Sequence, residues 1–389
     1  MTIQSRPFVK GLDGVVAVQT QLSSIDGQRG ILTYRGINIH ELAENATFEE
    51  ASYLLLRGQL PTQAQLEEFR ARLAENRALP GCVPELMRCC TIPQDAAPMD
   101  VVRTAVSSLT FYERDMAWIA DTTIETTEAK AVRLIAQLPT IVATYDRLRR
   151  GLEPIDPRTD LSQAANFLYM LSGEEPDPDV AKALDTYFVL LADHGMNAST
   201  FAARVVASTL ADLHTSVTAA FSALKGPLHG GANEATMRML LEIGELSEVD
   251  AFIDNAFATR RKIMGFGHRI YKTGDPRTTH LQRLAAALGD KLGQRKYFDM
   301  SLQVEKAVLR HRELYPNVDY FSATLLYYCG IPIDLFTPMF ACSRVAGWAA
   351  HVVEQYKDAV LIRPQSEYVG PVDQHFTPIQ EREWRFEEQ

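Results

Sequence analysis

The sequence predicts a mainly α-helical chain with a small β-structure at its start and a smaller helical domain inserted in a larger one. Three observations carry this reading. Helix signals recur along most of the chain, while clear strand signals stop at Gly36. The segment 223–330 is punctuated differently from its flanks, with two glycine-rich loops that each bear a histidine and several shorter helices. The expected boundaries are therefore 1–222 and 331–389 for the larger domain and 223–330 for the insert.

In chain order, Val15–Val18 and Gly30–Gly36 are the strand candidates, with Asp26-Gly27 as a hairpin signal between them. Thr47-Phe48-Glu49-Glu50 and Thr62-Gln63-Ala64-Gln65 match the capping box, and Leu66, Phe69 and Leu73 follow the second at helical spacing. The apolar-periodic run from Glu128 to Arg150 contains Pro139, which predicts a kink or break there. Leu152–Arg158 carries two prolines and reads as a connector. Asp177-Pro178 opens a helix running to Ala192, with Leu184, Phe188 and Leu191 on one face. One long helix is expected from Ser199 to Leu224, stopped by Gly226-Pro227. A new helix begins near Gly231, which places His229 at its N-terminus. The last helix is expected from Pro338 to Tyr356, with Thr337 as its N-cap, followed by an irregular tail from Arg363-Pro364.

The loop Arg260–Arg277 concentrates chemical tools. Gly265 and Gly267 free the backbone, Phe266 offers an aromatic face between them, and His268 is a candidate proton donor or acceptor. Asp275-Pro276 reads as a helix start, with Arg277 in the first turn, where a cation opposes the helix dipole and points to a bound anion. Taken singly, the other polar candidates have plain explanations. A lone histidine such as His194 is more often structural, Asp319 reads as a helix cap, and Arg344 reads as a surface charge on a long helix. Spacing alone does not bring them together.

The net charge is 39 − 49 = −10, which disfavours a general nucleic-acid or acidic-membrane binder. The five cysteines (Cys82, Cys89, Cys90, Cys329 and Cys342) are odd in number and form no Cys-x-x-Cys, so free thiols in a reducing compartment are expected. Met1–Lys10 has no signal-peptide pattern, and no run approaches the roughly 18 apolar residues of a membrane span. The chain is expected to be cytoplasmic.

Four motifs in order, Gly226-Pro227-Leu228-His229-Gly230-Gly231-Ala232-Asn233, the Gly265–Arg277 loop, Asn317-Val318-Asp319 and Arg363-Pro364, resemble those of the citrate synthase family. Gly11–Ala17, Tyr34-Arg35-Gly36 and Ala346–His351 resemble its shorter bacterial and archaeal members. The resemblance implies a two-domain, almost all-α fold that closes over its substrates, and condensation of acetyl-CoA with oxaloacetate to citrate and CoA, without a metal or other cofactor. It implies Asp319 as general base, His229 as hydrogen-bond donor to the developing enolate and His268 as the group that polarises the oxaloacetate carbonyl. It also implies His194, Arg277, Arg344 and Arg363 as oxaloacetate ligands, with Arg363 reaching the partner's site in a homodimer. CoA is expected on Lys262, Ile263, Met264, Gly265, Phe266, Gly267 and Lys272. The same residues serve 2-methylcitrate synthases, which take propionyl-CoA. A non-catalytic CoA-binding or assembly protein on the same fold is the reading from another class.

Overall fold

The structure, a computed structural model, describes residues 8–88, 92–93, 95–113 and 115–382 of the chain. Two of the cysteines expected as free thiols, Cys89 and Cys90, lie outside the described residues; Cys82, Cys329 and Cys342 are unpaired. The described chain forms two compact units. One is Thr20–Leu361, and it contains the whole of the expected insert. The other is built from the two ends, up to Gln19 and from Ile362 onward. Helices dominate, and no helix among the described residues is long and apolar enough to cross a membrane.

The larger unit opens with a three-stranded antiparallel sheet, Ser23–Asp26, Ile31–Tyr34 and Ile37–Asn38, in sequence order. The Asp26 carboxylate turns the first hairpin by accepting the peptide N–H groups of Gln28 and Arg29 at 3.1 and 3.0 Å. Arg35 and Gly36 turn the second, both at positive φ, as a two-residue hairpin loop requires. Val15–Val18 is not a strand. It lies in the unit of chain ends, where no neighbouring strand among the described residues pairs with it, and Val16 is exposed.

Both capping boxes form. The Thr47 and Thr62 side chains accept from Glu50 and Gln65, which bond back to the cap residues. Pro139 neither kinks nor breaks its helix, which runs unbroken over Ile124–Arg149. A proline has no N–H to give the carbonyl four residues back. Here that carbonyl is Ile135, and the side-chain amide of Gln163 donates to it at 2.9 Å and to Ala136 at 3.0 Å. The lost bond is replaced from another helix.

The expected helix 199–224 is two helices, Ala198–Ala207 and Leu213–Leu224. Asp212 caps the second through the Thr215 N–H at 3.0 Å, and Leu210 takes a left-handed φ of 64° in the break. The Asp275-Pro276 start is also corrected: that helix is Thr278–Leu292, so Arg277 precedes its first turn. The last long helix is Phe336–Asp358 with Leu335 at the cap position. The Thr337 hydroxyl instead donates to the Gly230 carbonyl at 3.2 Å.

The helix Phe336–Asp358 is buried over most of its length and packs against Ile124–Arg149, Pro178–Leu191 and Ala198–Ala207. Its contact with the end of Pro178–Leu191 is tight. A Cβ on Gly347 would fall 2.3 Å from the Ala192 carbonyl oxygen and 2.6 Å from Asp193 Oδ1. Exchanging a helical glycine for alanine in open space is stabilising by about 1 kcal/mol. Here the sign should reverse: Gly347→Ala is expected to lower stability by about 1–3 kcal/mol through overpacking. The midpoint of urea unfolding checks this, and an unchanged or raised midpoint would mean the two elements separate freely.

Candidate active site

The sheet sets the first part of the site. The Tyr34 hydroxyl, fully buried, donates towards the carbonyls of Leu190 and Asp193 at 3.0 and 2.9 Å and accepts from the Asp193 N–H at 3.2 Å. This holds the turn after Pro178–Leu191 that presents His194. The Asp193 carboxylate accepts from the Ser23 hydroxyl at 2.6 Å and faces His351 at 3.2 Å. Burial pushes the Asp193 carboxyl up, but His351, Arg344 and the Ser23 hydroxyl outweigh it and keep its pKa low.

His194, His268 and Tyr271 form one ring cluster. His194 and His268 lie 5.3 Å apart between centroids, and His268 and Tyr271 4.6 Å. The Tyr271 hydroxyl is 3.1 Å from His194 Nε2. Burial, reinforced by Arg277 and Arg344, drives the His194 pKa well below its ordinary value, so this ring is neutral.

The tautomer of His268 follows from its donors. The peptide N–H groups of Ile270 and Tyr271 both point at Nδ1, at 3.0 and 3.2 Å. Nδ1 is therefore an acceptor and the ring proton sits on Nε2. Burial and then Arg277 lower its pKa to about 4, against the pull of Asp275. His229 is arranged in the opposite sense. Its Nε2 faces the Ser199 peptide N–H at 3.3 Å and the Ser199 hydroxyl at 2.8 Å, and that hydroxyl also has Asn197 Oδ1 at 2.7 Å. A peptide N–H only donates, so Nε2 accepts and Nδ1 carries the proton. Trp348 Nε1 donates to the same hydroxyl at 3.1 Å, which fixes the assembly on the Phe336–Asp358 helix. Burial and Arg344 bring the His229 pKa to about 4. Each ring thus keeps one N–H with no partner among the described residues.

Asp275 ties the glycine-rich loop to Asp319. Its carboxylate accepts from Arg277 Nε at 2.9 Å, Arg277 Nη2 at 2.6 Å, the Arg277 peptide N–H at 3.1 Å and the Val318 N–H at 3.2 Å. The bond from the Arg277 N–H is one that a cap accepts, yet the helix that follows begins only at Thr278. Asn317 caps Val318–Tyr328 by accepting the Asp319 N–H, while its amide donates to the Gly267 carbonyl at 2.8 Å. Its own N–H bonds the Gly265 carbonyl at 2.9 Å. Asp319 is therefore not the cap. Its Oδ1 is sealed without a hydrogen-bond partner among the described residues. Burial raises its pKa to about 7, with Arg277 and Arg344 opposing and Asp275 assisting the rise.

Two guanidinium groups lie in the same field. Arg344 is a core residue rather than a surface charge. Its Nε donates to the Leu191 carbonyl at 2.6 Å, it stacks on Phe340 at 4.6 Å, and no carboxylate among the described residues is within 4.0 Å of it. Burial, opposed by Asp193 and Tyr34 and reinforced by Arg277, lowers its pKa to about 10. Such a buried cation, with both terminal nitrogens free of partners among the described residues, has the chemistry to receive an anion. Arg277 is equally buried but has Asp275 on one flank.

The remaining expected residues divide. Lys262 and Lys272 are exposed, the latter with its ammonium on the Arg269 carbonyl at 3.1 Å. Gly265 and Gly267 take φ of 80° and 79°, and a Cβ on Gly265 would meet Tyr320 and Thr236 at 2.7 and 2.8 Å. Phe266 does not offer an open face; it is buried against Tyr320 at 4.5 Å. Ile263 is buried and Met264 half-buried. Arg363 is exposed in the other unit. Sequence reasoning missed Tyr271, Ser199 and the pairing of Asp275; only their neighbours in the chain were conspicuous. Among the described residues no cluster of His, Cys, Asp and Glu is placed to hold a metal ion.

The raised pKa of Asp319 has a consequence for stability. The folded state holds this proton more tightly than the unfolded state, whose value is near 3.8. Its contribution is therefore fully present below about pH 4 and is lost as pH rises to about 7. The depressed His229 and His268 act in the opposite direction between about pH 4 and 6.5. The difference in Tm between Asp319→Asn and the parent removes their contribution. It is expected to move in favour of the variant from pH 5 to pH 8. A pH-independent difference would contradict the raised value.

Comparison with known proteins identifies the family. The family model for the citrate synthase C-terminal domain matches residues 11–365. Citrate synthase 2 of Bacillus subtilis is 46% identical, covering 96% of this chain and 99% of its own. A 2-methylcitrate synthase of Shewanella oneidensis is 40% identical, covering 96% and 97%. The solved ternary complex of citrate synthase from Thermoplasma acidophilum with carboxymethyl coenzyme A and oxaloacetate superposes with a TM-score of 0.90 at 33% identity, covering 97% of this chain and 100% of that one. On a family match spanning nearly the whole chain, and on these relatives, the chain belongs to the citrate synthase family.

Proposed function

We propose that the chain is a citrate synthase, an acyltransferase that condenses acetyl-CoA with oxaloacetate and hydrolyses citryl-CoA to citrate and CoA. The observation that carries this is one carboxyl of raised pKa in the field of two buried guanidinium groups that also act on two neutral histidines, each with a free N–H, one of those guanidinium groups, Arg344, having no carboxylate partner among the described residues.

In this reading oxaloacetate, a dianion, is held by Arg277, Arg344 and His194, with Arg363 of the partner subunit completing the set. Asp319 removes a proton from the acetyl methyl group. The Nδ1–H of His229 stabilises the negative charge on the thioester oxygen. The enolate carbon attacks the oxaloacetate carbonyl, polarised by the Nε2–H of His268; the new alkoxide takes that proton, and Nε2 regains one from water as Asp319 gives up the methyl proton to water. Water cleaves the thioester and releases the thiol. Neutral rings suit both tasks, because an imidazole of depressed pKa donates a hydrogen bond without first losing a charge. CoA lies along Lys262–Gly267 and Lys272, and the insert 223–330 closes over both substrates. The protein's own groups suffice for this chemistry, without a metal or other cofactor. Free thiols support a cytoplasmic location. Propionyl-CoA is the second candidate substrate, favoured by the relatives named for 2-methylcitrate, since one methylene changes specificity by only about 1–3 kcal/mol.

Thiol release from acetyl-CoA and from propionyl-CoA, each with oxaloacetate, tests the reading. Release is expected with acetyl-CoA at the higher kcat/KM, and none with either would leave a binding or assembly protein. Asp319→Asn is expected to lower kcat by roughly 10²–10⁴-fold while oxaloacetate still binds; activity within tenfold of the parent would remove Asp319 as the base.

The tail supports a homodimer with shared sites. From Ile362 onward it leaves Tyr368, Val369, Val372 and Phe376 exposed at 70% or more, an apolar surface suited to a second copy. Mixing Asp319→Asn with Arg363→Ala under subunit exchange checks this. Shared sites give one doubly damaged and one intact site per heterodimer, so activity should return to as much as half that of the parent. No recovery, with exchange verified, would place each Arg363 in its own subunit's site.

A further inference from the structure

Two of the buried polar atoms that find no hydrogen-bond partner among the described residues lie on packed helices at the site. One is Oδ1 of Asp319, in the first turn of Val318–Tyr328. The other is the hydroxyl of Tyr187, on Pro178–Leu191, a side chain with no exposure whose proton meets no acceptor among the described residues. These two helices are in contact. One atom is a donor without an acceptor, the other an acceptor without a donor. A buried donor and a buried acceptor of this kind each call for a partner.

The surroundings favour joining. Burial raises the Tyr187 hydroxyl pKa far above its ordinary value, and Asp319 is the foremost charge acting on it, ahead of Cys342 and Arg344. The hydroxyl therefore keeps its proton and can only offer it. Asn233 stands beside it as a donor: one amide N–H goes to the Phe336 carbonyl at 3.2 Å, the other is directed to the phenol oxygen, and the Asn233 oxygen accepts the Glu234 N–H at 2.7 Å, which leaves the phenol proton without an acceptor. The groups that act on Asp319 are Arg277, Asp275 and Arg344, none of which gives Oδ1 a hydrogen bond. Its second oxygen, Oδ2, is not sealed in the same way.

We infer that Tyr187 is a positioning residue for Asp319: when the site closes on oxaloacetate, its hydroxyl donates to Oδ1 and leaves Oδ2 as the oxygen that takes the methyl proton. The inference rests on Asp319 being the general base. The phenol keeps its proton throughout, and only a hydrogen bond is made. A donor on Oδ1 does two things. It fixes the plane of the carboxylate, so that Oδ2 faces the methyl group. It also stabilises the ionised form once the site is closed, bringing the base into its working state near neutral pH.

Tyr187→Phe tests this by removing one oxygen and leaving the ring. The acid limb of the kcat profile reports the closed complex. In the variant it is expected to move up by about one pH unit, with kcat down about tenfold at neutral pH and KM for oxaloacetate within twofold of the parent. An unchanged acid limb would overturn the proposal even if kcat fell, because a merely structural loss does not move that limb. If the variant does not fold, 3-fluorotyrosine placed at position 187, a stronger donor, should move the limb down; no movement would overturn the proposal. The carboxyl ¹³C titration of Asp319 with saturating oxaloacetate separates the two readings. Absence of thiol release in the parent would reject the proposed reaction, whereas identical titrations of parent and Tyr187→Phe would reject the role of Tyr187.

Discussion

The Asp275 carboxylate is the constraint on which the site depends. It accepts three hydrogen bonds from Arg277 and one from the Val318 N–H, 43 residues away. One buried group therefore sets the direction of a cation and the start of the helix that carries Asp319. Burying the cation next to a carboxylate also limits its cost, since an unpaired buried charge is strongly destabilising. Arg344 has no such counter-charge among the described residues, and the difference is chemical. Arg277 is anchored by Asp275, while both terminal nitrogens of Arg344 have no partner among the described residues.

Proton placement follows the same logic. Backbone N–H groups cannot change their role, so those of Ile270, Tyr271 and Ser199 dictate which nitrogen of His268 and His229 accepts. Burial then holds both rings neutral. The same burial acts in the opposite sense on Asp319, because the charged form of an acid is its deprotonated one. Burial thus leaves two neutral rings, each with one N–H to donate, and one carboxyl whose pKa is raised to about 7.

Local signals survived into the structure where their partners lie within one turn. Both capping boxes, the helix opening at Asp177-Pro178 and the positive φ of Gly265 and Gly267 were legible for that reason. The class of fold and the order of the two histidine loops were legible as well. What was not legible depends on distant partners. Asp275 looks like a cap until Val318 and the guanidinium claim it. Arg344 looks like a surface charge because the packing of three other helices around its own is invisible in the chain. The break at 208–212 was hidden by the apolar run on either side, although Asp212 followed by Thr215 was a cap signal in plain view. Strand character at Val15–Val18 failed for want of a neighbour, since β-forming residues need a ladder to join.

The repair of the Ile124–Arg149 helix around Pro139 bears on how this chain can change over generations. Gln163 supplies Ile135 and Ala136 with the donor that the proline lacks, and its oxygen accepts from Arg77 Nε at 3.1 Å. Losing the glutamine first strands a carbonyl in the core, at about 1–3 kcal/mol. Losing the proline first restores the ordinary helical donor and leaves the glutamine with acceptors to spare. The two positions are therefore linked by an order of events: a lineage leaves this arrangement through position 139 and enters it through position 163.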